Sequence, residues 1–206
     1  WDEIEFDKIP SKAGLKYKNA FARHDIERVK SEKNVVSYAD FAKDTTTKVN
    51  AKDLYPYEVV DKAMHVCGRS LEDTERLMVN KYWDNLADYF AGKTFNGLAV
   101  VDTSASMTWS GGAAAPINVA ISLGMYCAEK ANGPFANHYI SFSSRPQLIE
   151  CRGNDFCDKV YRIYQTNLCE NTNIEAAFDM LLNTAITNRV PQNDMPKNLI
   201  VISDME

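Results

Sequence analysis

The sequence predicts an α/β fold, a doubly wound and mainly parallel sheet preceded by a helical N-terminal region. Three observations carry this. Two short, continuous apolar runs, Gly97-Leu-Ala-Val-Val-Asp102 and Asn198-Leu-Ile-Val-Ile-Ser-Asp204, each end in a carboxylate, as buried parallel strands do. The residues between them alternate strand-like and helix-like patterns, which places helices on both faces of the sheet. Residues 1–92, by contrast, carry helical periodicity and no strand pattern. The predicted division is therefore a helical region over 1–92 and an α/β domain over 93–206.

The elements follow in order. Ser11 is placed to cap a first helix with Leu15, Ala20, Phe21 and Val29 on its apolar side. After a polar break over residues 43–50, Pro56 suits the first turn of a second helix. Val59, Val60, Ala63, Met64 and Cys67 should face inward there, with Gly68 as the stop. Ser70 and Asp73 form a capping-box pattern for a third helix. Its core side is Leu77, Met78, Leu86 and Phe90, and Gly92 ends it. Beyond the first strand, Pro116 opens a helix with Ile117, Ala120, Ile121, Gly124, Met125 and Ala128 on one face. His138–Phe142 and Gln147–Glu150 read as strands joined at residues 143–146. Phe156, Val160 and Ile163 predict a short helix, and Ile174, Ala177, Phe178, Leu181, Leu182 and Ala185 a longer one.

Composition narrows the class. The chain has 206 residues, 45% hydrophobic and 25% charged, which is ordinary globular usage and excludes disorder for most of it. No apolar run approaches the roughly 18 residues of a membrane helix, so no membrane is expected among the partners. A net charge of −5 argues against a surface that coats nucleic acid as a whole. The five cysteines form no C-x-x-C pair, which favours a reducing, cytoplasmic setting. Locally the charge reverses: residues 8–33 hold eight Lys/Arg against three Asp/Glu. Lys12, Lys16, Lys18, Arg23, Arg28 and Lys30 are either a solvated helix face or a contact for RNA phosphates.

Chemistry is expected outside the carboxyl ends of the parallel strands. The first strand runs into Asp102-Thr-Ser104-Ala-Ser106, one carboxylate and two hydroxyls within five residues. All are hard oxygen donors, with no histidine or cysteine beside them. The set therefore suits Mg²⁺ best, with Mn²⁺ or Ca²⁺ as alternatives. The plain alternative is a polar turn whose side chains bond their own backbone. Thr172, at the start of a helix, and Asp204, ending the last strand, add weight to the metal reading.

Asp102, Ser104, Ser106, Thr172 and Asp204 together resemble the metal-ion-dependent adhesion site of von Willebrand factor type A domains. The resemblance covers residues 95–206 and brings with it a Rossmann-like sheet. It implies that Ser104, Ser106 and Thr172 ligate the ion directly and that Asp102 and Asp204 act through bound water. An open coordination position would then take an acidic residue of a partner protein. Trp1-Asp-Glu-Ile, Pro10-Ser11, Tyr17, Ala20-Phe21 and Arg23-His24-Asp25 further resemble the opening of an uncharacterised intracellular family of von Willebrand A-like proteins. That family occurs in bacteria, phages, fungi and plants. Its plan is similar to that of the Ro autoantigen, which implies small structured RNA as a possible partner. A whole domain of this type continues past the strand carrying Asp204, so the sequence reads as lacking the last α/β units.

Enzymatic readings find less support. No G-x-S-x-G elbow, G-x-x-x-x-G-K-[ST] loop or G-x-G-x-x-G turn is present. His24, His65 and His138 stand apart, in no zinc motif. Asp102 and Asp204 could hold Mg²⁺ for phosphoester hydrolysis, yet no base or phosphate cradle accompanies them. The expectation is a non-enzymatic, metal-dependent binding module. Trp109, just past the serines, is either core or an exposed anchor for the partner.

Overall fold

The computed structural model describes residues 4–31, 35–93, 95–108, 112, 114–142, 145–166 and 173–204. Its contacts divide the chain into two compact units. The first comprises Trp1–Ala87 together with Asn154–Tyr161, and the second Asp88–Gly153 together with Arg162–Glu206.

The first unit is helical, and no strand occurs among its described residues. Helices α1 (Ser11–Ser31), α2 (Tyr38–Lys43) and α3 (Pro56–Met64) all pack on α4 (Thr74–Asp84). That central helix buries Met78, Val79, Tyr82 and Trp83. A Cβ at Gly14 would overlap the Tyr82 hydroxyl, so α1 and α4 approach closely only because residue 14 is glycine. Ser11 turns out to be the first helical residue, and its hydroxyl donates to Asp53 (3.2 Å). Helix α2 has no counterpart among the sequence expectations. Ser37 caps it by accepting from the Asp40 N–H (2.9 Å), and the Lys81 ammonium donates to the carbonyls of Phe41 (2.9 Å) and Asp44 at its other end. In α3 the inward residues are Val59, Val60 and Ala63, whereas Met64 is exposed and Cys67 half-buried beyond the helix end. Asp73 rather than Ser70 caps α4, accepting from the N–H groups of Glu75 and Arg76 (3.1 Å each).

The second unit is mixed α/β. Its four-stranded sheet has the order β3-β2-β1-β4, where β1 is Gly97–Asp102, β2 His138–Phe142, β3 Gln147–Glu150 and β4 Asn198–Ile202. β1 pairs parallel with both β2 and β4, and β3 returns antiparallel to β2. Helix α5 (Pro116–Lys130) covers one face, where Gly124 admits Val101: a Cβ there would lie 2.5 Å from the valine Cγ2. Helix α7 (Ile174–Thr187) covers the other, with Ala177, Leu181 and Ala185 joining Leu98, Val100 and Ile140 in one core. Helix α6 (Phe156–Tyr164) crosses the division, its residues through Tyr161 belonging with the first unit.

The connections set where a site can form. From β1 the chain crosses through α5 to β2 on one side, while β4 joins β1 from the other. The order thus reverses between β1 and β4, and their carboxyl ends flank the crevice where open α/β sheets bind ligands.

Candidate metal centre

β1 is buried along its whole length, and its apolar run delivers Asp102 to the end of the strand with 0% of its surface exposed. The carboxylate accepts two hydrogen bonds among the described residues. The Ser104 N–H donates to Oδ1 (2.9 Å), and the Ser203 hydroxyl donates to Oδ2 (2.6 Å). Ser104 is itself 7% exposed, and its Oγ lies 3.0 Å from the Oγ of the half-buried Ser106. A single 3₁₀ turn over Ser106–Thr108 follows, held by Met107 N–H to the Ser104 carbonyl (3.2 Å) and anchored by the buried Met107 side chain. The loop thus presents Asp102, Ser104 and Ser106 together.

Ser203 is the residue that the sequence reading missed. The parallel ladder pairs Val101 with Ile202, so the next step of each strand sets Asp102 beside Ser203. The signal lay in the Ser-Asp pair at the end of the last apolar run, but its meaning depends on which strand neighbours β1. Asp204 follows and is exposed. Thr172 and Trp109 lie outside the described residues. The residue after Thr172, Asn173, caps α7 by accepting from the Ala176 N–H (3.0 Å).

The electrostatics of the site centre on the Asp102 carboxylate. Among the described residues no Lys, Arg or His lies within 4.0 Å of Asp102, which therefore has only neutral donors. A buried carboxylate without a cation is costly. Beside it the Thr103 hydroxyl is buried with no hydrogen-bond partner among the described residues. The donors are oxygen throughout, and no group of three His, Cys, Asp or Glu able to hold a metal ion occurs among the described residues. A hard divalent cation fits such a shell, since hydroxyl and water oxygens supply what further carboxylates do not.

The remaining candidates separate. Lys12, Lys16, Arg23 and Lys30 are exposed on α1, whereas Lys18 and Arg28 are buried. Burial pushes the Lys18 ammonium below its ordinary value. Arg28 is engaged with Asp25 (2.7 Å) and the Val36 carbonyl (2.7 Å). Cysteine chemistry is disfavoured at two positions, because burial pushes the Cys127 thiol up to about 11 and Cys157 up to about 12. His138 is tied to the Ala136 carbonyl through Nδ1 (2.7 Å), and its Nε2 lies 3.6 Å from Glu150.

Residues 96–206 match the family described as Domain of unknown function (DUF7788). The chain belongs to the DUF7788 family. The family match opens one residue before β1 and takes in the four strands and the Asp102 loop, while α1–α4 precede it. The chain is also 33% identical over 215 residues to "Uncharacterized protein L728" of Acanthamoeba polyphaga mimivirus, a match covering all of this chain and 36% of that protein. The DUF7788 chain thus spans about a third of the length of this relative. No solved structure matches it. Among the described residues no helix is long and apolar enough to cross a membrane.

Proposed function

We propose that the DUF7788 domain is a von Willebrand A-like, non-enzymatic binding module that holds Mg²⁺ at the β1–β4 crevice and recognises a partner protein through it. The observation that carries this reading is the fully buried Asp102 carboxylate, whose donors among the described residues are both neutral. Ser104 and Ser106 would ligate the ion through their hydroxyls, with Thr172 completing the protein's direct ligands. Asp102 and Asp204 would hold its bound waters. Mn²⁺ or Ca²⁺ would suit the same donors. The ion supplies an electrophilic position for one external oxygen, and a partner's Asp or Glu is the donor that balances its charge. Trp109, three residues beyond Ser106, would add apolar contact area at the rim. The setting is cytoplasmic.

A second reading has its own observation. Lys16, Arg23 and Lys30 stand exposed at seven-residue intervals, one face of α1 with cations ~10 Å apart along the axis. Such a row could contact the phosphates of a small structured RNA, with affinity falling steeply as salt rises.

Capture from a cell extract with the immobilised chain, in Mg²⁺ or in EDTA, tests both. A protein retained in Mg²⁺ and released by EDTA, and lost from the Asp102→Asn chain, is the expected result. Retention that ignores EDTA and yields RNA instead would displace the first reading in favour of the second. Turnover of a phosphoester by the Mg²⁺-loaded chain would show it to be a hydrolase.

A further inference from the structure

We infer that Ser203 is a positioning residue for the ion, fixing the Asp102 carboxylate and tying the end of β4 to the metal loop; the inference rests on the metal reading above. Three observations converge on it. The parallel register places Ser203 beside Asp102, one step beyond the Val101–Ile202 pair. The Ser203 hydroxyl donates to Asp102 Oδ2 at 2.6 Å, the length of a charge-assisted O–H···O⁻ bond. Asp102 is 0% exposed, so the hydrogen-bond partners of its carboxylate are set by the fold.

The geometry gives the bond a particular role. The Ser104 N–H takes Oδ1 and Ser203 takes Oδ2, so the carboxylate plane is pinned at both oxygens by donors from two different segments. Each oxygen keeps a lone pair for a bound water of the ion. One segment carries the hydroxyl ligands Ser104 and Ser106, and the other leads directly into Asp204. Ser203 therefore sets the distance between the two halves of the ion shell. Without its hydroxyl, the carboxylate keeps one donor and is free to turn about its Cβ–Cγ bond.

Outer partners of this kind typically hold a factor of about 10–100 in metal affinity. Calorimetric titration of the full chain with MgCl₂, beside a thermal melt in EDTA, reads the effect. Ser203→Ala should bind Mg²⁺ about 10–100-fold more weakly, while Ser203→Thr, which keeps the hydroxyl, should bind within a few-fold of the parent. A general loss of stability would lower the melting temperature in EDTA without distinguishing the two variants in Mg²⁺ affinity. Ala and parent chains that are both folded and bind Mg²⁺ equally would overturn the role of Ser203 alone. A folded parent chain showing no saturable Mg²⁺ binding would overturn the metal reading itself, and this inference with it.

Discussion

Two acidic sites in this chain are built on opposite terms. In the helical unit the Arg76 side chain, 3% exposed, uses all five of its N–H donors. Two go to the carbonyls of Cys67 and Arg69 (2.8 Å each), two to Asp155 (2.7 Å each) and one to Asp158 (2.6 Å). Asn80 adds a further bond to Asp155 (2.8 Å). These two carboxylates share the one Arg76 guanidinium as a cationic partner. At the end of β1, Asp102 is buried more completely yet meets, among the described residues, only a backbone N–H and a serine hydroxyl. The first arrangement is complete as folded and reads as architecture. The second gives its charge only neutral donors among the described residues, at a topological switch point where open α/β sheets bind ligands.

The contrast can be broken most forcefully at Arg76. Arg76→Leu strips the cation from two carboxylates and should destabilise the fold by about 3–5 kcal/mol, as removal of one partner of a buried pair does. Urea unfolding measures it, and a loss below about 1 kcal/mol would place this cluster among ordinary surface pairs.

Acid sharpens the same comparison. Burial alone would raise the Asp155 carboxyl, but the bonds from Arg76, the Asp158 N–H and Asn80 outweigh it and hold it below the usual range. For Asp158 the Arg76 bond is the leading cause of a depressed value. A depressed folded pKa contributes stability that is present above the unfolded value and is lost as pH falls through the folded one. The stability gap between the parent chain and Arg76→Leu should therefore be full at neutral pH and close below about pH 4. A gap unchanged between pH 7 and pH 3 would contradict the pairing.

The smallest effect belongs to Asp102. In EDTA, Asp102→Asn removes a buried charge that has no cationic partner among the described residues, while its amide oxygen can still accept one of the two bonds. Its stability should lie within about 1 kcal/mol of the parent, far from the cost at Arg76. A loss matching Arg76→Leu would mean that Asp102 is a structural residue after all.

Much of the α/β unit was legible because its signals are local. The strands at Gly97–Asp102 and Asn198–Ile202 are continuous apolar runs, and α5 and α7 carry apolar stripes behind clear starts. The D-x-S-x-S cluster was legible for the same reason, since all three residues lie on one loop. What escaped depends on distant partners. Helix α2 spans only Tyr38–Lys43 and is held at its end by Lys81, from another helix. Arg76 and Arg28 look like surface cations in sequence, and only Asp155, Asp158 and Asp25 explain their burial. Ser203 acquires its role from the register of β4 against β1.

The central claim is that Asp102 is completed by a divalent cation, and differential stability in Mg²⁺ and EDTA tests it most directly. With Mg²⁺ at a hundred times its dissociation constant, the parent chain should gain about 2.7 kcal/mol over its value in EDTA. Asp102→Asn should gain nothing at the same concentration. An equal response of the two chains to Mg²⁺, or none from the parent at any concentration, would contradict the account.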